Sequence, residues 1–196
     1  MVNSSSRSDG RIERMFAAIA EWPVYARSLL NAGVTLISIL LCLLAMPLRI
    51  PGWNLLGIGP NWILIWVVSW SVNRPAWQGA LAGGLLGLVQ DGLTSPIPTH
   101  AFGLAIVGWL TGLFQKQRYI QEDFISVALI VFGMVVVSET VMAILFIGQL
   151  DLPVEQIWVY HQRITLSSAI LSSLWAPIAY LPLKWWWRRL SALERT

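Results

Sequence analysis

Asp91 and His100 stand on either side of a Pro-rich turn in GLVQDGLTSPIPTHAFGL, with Ser95 between them. An acid, a histidine and a hydroxyl are the parts of a nucleophilic triad, in which the histidine takes the serine proton and the acid orients the ring. The rest of that machinery is missing from the sequence. Ser95 has no flanking elbow glycines and no oxyanion signature beside it, and it stands only five positions before His100. There is also no HExxH, no paired-aspartate metal motif and no phosphate loop. The lone cysteine, Cys42, lies in an apolar run, so neither a disulfide nor a Cys/His metal set is available. These residues predict a protein that is not an enzyme, with no catalytic residue, no metal and no cofactor.

The other ionisable residues worth attention are Glu139 in VVVSETVMAI, and His161 and Arg163 in WVYHQRITLSS. Their setting explains why. Of the 196 residues 56% are hydrophobic and only 12% charged, and 12 are tryptophan, a balance that soluble domains do not show. Apolar runs follow one another with short gaps. Crossing a hydrocarbon core about 30 Å thick takes roughly twenty apolar residues, and backbone polar groups in lipid must be satisfied within the segment. The sequence therefore predicts an all-α integral membrane protein. Its six spans are Ser28–Leu48, Pro60–Val72, Ala76–Leu93, Thr99–Phe114, Phe124–Gly148 and Trp158–Leu183, the second and fourth being short.

Placing both termini in the cytoplasm puts every Lys and Arg except Arg49 and Arg163 on the inner side, as the positive-inside rule requires. An odd number of spans would separate the two basic ends. The net charge of +3 thus reflects membrane orientation and not nucleic-acid binding. Residues 1–27 form a cytoplasmic tail, 28–187 the transmembrane domain and 188–196 a basic cytoplasmic tail. Within the first tail, Ile12, Met15, Phe16 and Ile19 recur at helical spacing opposite Arg14 and Glu21, which fits an interfacial helix or a lead-in to the first span. Trp185, Trp186 and Trp187, followed by Arg188 and Arg189, form an interfacial belt with a basic stop.

Within this frame the polar residues acquire places. Gly79, Gly83 and Gly87 recur every four residues, and Asp91 is next in the series, so one stripe of the third span offers a groove that ends on a carboxylate. Gly108 with Gly112, and Ser168 with Ser172, repeat the small-residue theme. An acid near mid-bilayer costs on the order of 3 kcal/mol. Glu139 lies about 13 Å below the outer end of its span at 1.5 Å per residue, and Arg163 enters from the same side. The expected arrangement is an outer-half polar cluster of Asp91, Glu139 and Arg163, with Gln90 and His100 nearby.

Several segments together carry a family resemblance. A short span opening on PNW (Pro60, Asn61, Trp62), a basic turn at Arg74, then GALAGGLLGLVQDGLTS and HAFGLAIVGWLTG resemble the MreD family of bacterial rod shape-determining membrane proteins. LWAPIAYLPLKWWWRRL is similar to that family's Pro-containing last helix and basic tail. Asp91 matches the family's acid at the end of the third span, and His100 falls where His or Arg is frequent; Pro98 replaces the usual glycine just before it.

The resemblance implies a non-enzymatic scaffold in the bacterial inner membrane that directs lateral peptidoglycan synthesis. Its partners would be an MreC-like membrane protein and, indirectly, the MreB filament and the RodA and penicillin-binding-protein synthase pair. Membrane lipids would complete its surroundings, without nucleic acid. MreD-like proteins also resemble in fold the substrate-binding subunits of energy-coupling-factor vitamin transporters, so a solute carrier is the alternative. The short outward loops lack the Trp, Tyr, Asn and Asp that a gated polar pocket needs, and NAGVTLISILLCLLA lacks an Ala-xxx-Ala docking ridge. Both features favour the scaffold. The glycine groove then has two possible occupants: another helix of this bundle, or the transmembrane helix of the partner.

Overall fold

The computed structural model describes residues 16, 18, 19, 21–47, 57–94, 99–114, 124–149 and 154–193. Every regular element among these is an α-helix: α1 (Val24–Ala45), α2 (Trp62–Ser71), α3 (Ala76–Thr94), α4 (His100–Phe114), α5 (Phe124–Gln149) and α6 (Val154–Leu193). Stretches such as WILIWVVSW have strand-forming side chains, yet they are helical because a helix satisfies its own backbone where water is excluded. Among the described residues three helices are long and apolar enough to cross a bilayer, over Val24–Ala45, Phe124–Ile147 and His161–Leu190. Trp62–Ser71 and His100–Phe114 are apolar but shorter.

Local chemistry sets the helix ends. Ala26 and Arg27 donate to the Pro23 carbonyl at 2.9 and 3.2 Å, and Gln78 and Gly79 to that of Pro75 at 2.9 and 3.2 Å. Proline fits such a first turn because its fixed φ suits the helix and its missing N–H is not needed there. Pro47 closes α1, two residues beyond its last helical residue. α6 differs from the sequence expectation: it runs for 40 residues and passes through Pro177 and Pro182. Each proline forfeits one backbone bond to the carbonyl four residues earlier. No further proline or glycine follows before Leu193, so the helix continues through the tryptophans and arginines that the sequence had assigned to a belt and a tail.

The chain divides into two compact units, Ile39–Pro182 and Met1–Ser38 with Leu183–Thr196. In the larger unit the shortest helix is the most enclosed. α2 buries Ile63, Leu64, Ile65, Trp66, Val67 and Val68 together with Ser69 and Ser71. It is apolar all round, as a helix surrounded by others should be. At ten residues it rises only about 15 Å, half a hydrocarbon core. α3, α4 and α5 pack around it.

In the smaller unit Phe16, Ile19 and Leu190 are buried. The Phe16 ring meets Trp185 edge-on at 5.4 Å and Trp186 at 5.8 Å. The Arg189 guanidinium lies 5.6 Å from the Phe16 ring and 5.5 Å from that of Trp185. The predicted apolar stripe thus finds a protein surface at Phe16 and Ile19; Ile12, Arg14 and Met15 lie outside the described residues.

Candidate functional site

The glycine stripe of α3 is filled by α4. A Cβ on Gly79 would stand 2.8 Å from the Gly108 carbonyl carbon, one on Gly83 2.6 Å from that of Leu104, and one on Gly87 2.8 Å from the Ala101 nitrogen. The opposing helix is notched in the same way, since a Cβ on Gly112 would lie 2.8 Å from the Ala76 nitrogen. Distances of this kind are shorter than any real side chain tolerates. Backbone therefore meets backbone along the whole antiparallel pair, the close approach that small residues permit between helices in lipid. Gly84 and Gly92 lie off this seam: a Cβ on the first would make ordinary contact with Ala105 at 3.6 Å, and one on the second would meet nothing within 4 Å.

Asp91 closes the seam at the end where α4 begins. Its Oδ1 accepts the backbone N–H of His100 at 3.0 Å and lies 2.7 Å from the His100 Nδ1. Its Oδ2 accepts the backbone N–H of Ala101 at 3.0 Å. The carboxylate has only lone pairs to offer, so Nδ1 carries the proton in this pair. Asp91 is buried, with 4% of its surface exposed. It serves α4 as a capping residue supplied by another helix, satisfying N–H groups that a helix start leaves unpaired and placing negative charge at the positive end of the dipole. With both oxygens engaged on backbone and imidazole, this carboxylate is a structural tie. Ser95, the hydroxyl of the possible triad, and Pro98 lie outside the described residues.

The remaining predicted residues are distributed differently. Gln90 is buried next to Asp91 in sequence, and its Oε1 meets no donor among the described residues. Glu139 is half-buried on α5, following Ser138, whose Oγ would lie 2.8 Å from a Cβ on Gly103 of α4. Arg163 is exposed on α6. Asp91 forms an ion pair with His100, and among the described residues none joins Arg163 to Asp91 or to Glu139. His161 turns to its own helix, with Nδ1 3.2 Å from the Thr165 hydroxyl and its ring 5.8 Å from that of Trp158. The structure thus unites the glycine stripe, Asp91 and His100, and no ion pair among the described residues ties Glu139 or Arg163 to them. No group of three or more His, Cys, Asp or Glu suited to a metal occurs among the described residues.

A second tie was not foreseen. Asn61 caps α2, its side chain accepting from the Leu64 N–H at 3.0 Å, and its own N–H donates to the Ser172 hydroxyl of α6 at 2.9 Å. One step along, the Trp62 and Trp175 rings lie 5.6 Å apart. Asn before an apolar run is a cap signal, and Ser172 belongs to a small-residue pair. Both were visible in the sequence, but nothing in their spacing joins residues so far apart.

No curated protein matches the sequence significantly. The family model described as rod shape-determining protein MreD matches residues 27–184, which include all of α2 to α5, the glycine seam and Asp91. An apolar helical chain matched over most of its length by that model is a membrane protein of rod-shape determination, and it belongs to the MreD family.

Proposed function

We propose that this protein is a non-enzymatic scaffold of the cell-elongation machinery, coordinating lateral peptidoglycan synthesis through an MreC-like membrane partner. In this reading the six helices are six spans with both termini in the cytoplasm of a bacterial cell whose inner membrane holds the protein. The MreB filament and the synthase pair of RodA and a penicillin-binding protein are reached indirectly, and the basic inner surface, including Arg74 and Arg188, holds anionic lipid.

The observation that carries this reading is the use made of the polar residues within an MreD-family chain. Asp91 and His100, the best candidates for solute recognition, are spent on holding α3 to α4. A transporter subunit of the vitamin class needs such groups free to orient its ligand.

The test is depletion of the protein in the native bacterium, with cell shape recorded and membrane partners recovered by co-purification. Depleted cells should round up or widen, and the MreC-like protein should co-purify. Cells that keep their shape and instead require an added vitamin would identify a solute carrier.

A further inference from the structure

The smaller unit carries more cations than acids among its described residues: Arg27, Lys184, Arg188 and Arg189 against the exposed Glu21. Arg189 differs from the others in its setting. Its guanidinium lies 5.6 Å from the Phe16 ring and 5.5 Å from that of Trp185, so two aromatic surfaces hold it in place. Phe16 is buried and is fixed in turn by Trp185 and Trp186. Rings interact with a guanidinium but give its N–H groups no lone pair to bond. Arg189 is exposed, and among the described residues no carboxylate pairs with it. The result is a positioned fork of donors that lacks an anion.

The place of Arg189 in the chain indicates which anion is at hand. The apolar segment His161–Leu190 has 30 residues and rises about 45 Å, the thickness of a bilayer core with its headgroup layers. Arg189 is its last residue but one, at headgroup depth. The Trp185 ring beside it is 41% exposed and offers apolar surface to the upper part of an acyl chain. The negative end of the helix dipole favours cations here too, but it acts on Arg188 as much as on Arg189.

We infer that Arg189, held by Phe16 and Trp185, binds the phosphate of an anionic phospholipid through a two-pronged hydrogen bond. This deepens the reading of a basic inner surface that holds anionic lipid, and it rests on α6 crossing the membrane. One of the two rings comes from the N-terminal segment. A lipid in the site therefore also favours the seated position of Phe16, since it binds best where both rings orient the guanidinium.

The test uses the full chain, purified in mild detergent and mixed with equal amounts of phosphatidylglycerol and phosphatidylcholine, with bound lipid counted by native mass spectrometry. Wild type should retain phosphatidylglycerol in preference to phosphatidylcholine. Arg189→Gln should lower that retention at least about fivefold, whereas Arg188→Gln, which removes the same charge from the next residue, should lower it less than about twofold. Arg189→Lys keeps the charge, loses the fork and should also lower retention. Phe16→Leu removes no charge and keeps an apolar side chain, yet it should lower retention by freeing the guanidinium to swing. Glycerol phosphate in excess should leave the lipid bound, because it has no acyl chains; displacement would make the occupant a free phosphate ester and overturn the lipid assignment. Equal retention of the two lipids, equal losses from Arg188→Gln and Arg189→Gln, or full retention by Phe16→Leu would each overturn it as well. Equal losses would leave a basic surface that attracts lipid by charge alone. The measurement is independent of cell shape, so its failure leaves the scaffold reading standing.

Discussion

Asp91 shows how one side chain can hold a membrane helix pair in register. It accepts two backbone N–H groups and faces the His100 imidazole, all within 3.0 Å and with almost no contact with solvent. Removing it leaves buried donors at the start of α4 without acceptors, and the cost of such orphans exceeds the net value of an average hydrogen bond. Asp91→Ala should destabilise the purified protein by about 2–3 kcal/mol, read as a lower melting temperature in detergent. Asp91→Asn keeps one acceptor oxygen and should lie between. His100→Ala should cost less than Asp91→Ala, because the position retains its backbone donor. An Asp91→Ala protein that melts like the wild type would show that water or another group caps α4 as well as the carboxylate does.

At the scale of the element, the glycine seam explains why α3 and α4 depend on each other. Neither helix has a strongly apolar character on one side only, and in lipid no hydrophobic effect drives them together. Contact comes from removing side chains at Gly79, Gly83 and Gly87 on one helix and Gly108 and Gly112 on the other. Gly83→Leu must push α4 away along its backbone, which is overpacking of a seam with no flexible side chain to yield. The variant should fail to accumulate in membranes, whereas Gly92→Ala, where a Cβ meets open space, should accumulate normally. Immunoblots of membrane fractions decide this. A Gly83→Leu protein that accumulates and loses only its partner would return the groove to intermolecular use.

At the scale of the molecule, the two compact units have cores of different character. The larger is built on helix-to-helix contact around α2 and the seam; the smaller on aromatic rings and an arginine near the chain ends. Phe16→Ala removes the ring that Trp185 and Trp186 contact, and loss of a buried aromatic costs on the order of 3 kcal/mol. Tryptophan emission should shift to longer wavelength as these indoles become wetted, with the larger unit's melting transition little changed. Unaltered emission would mean that Phe16 contributes little to that core.

Much of the fold was legible in the sequence because lipid narrows the choices. Apolar runs of sufficient length had to be helical, and their order, approximate limits and the all-α class follow from that alone. The four-residue spacing also fixed that Gly79, Gly83, Gly87 and Asp91 share one face. Periodicity says which residues face the same way, but it is silent on what they face. Only the tertiary structure decided that α4 fills the groove, that Asp91 caps this helix, that Asn61 reaches Ser172, and that Glu139 and Arg163 remain unjoined. The reason is physical: a helix face is written locally in the chain, whereas its neighbour is chosen by close packing among segments far apart in sequence.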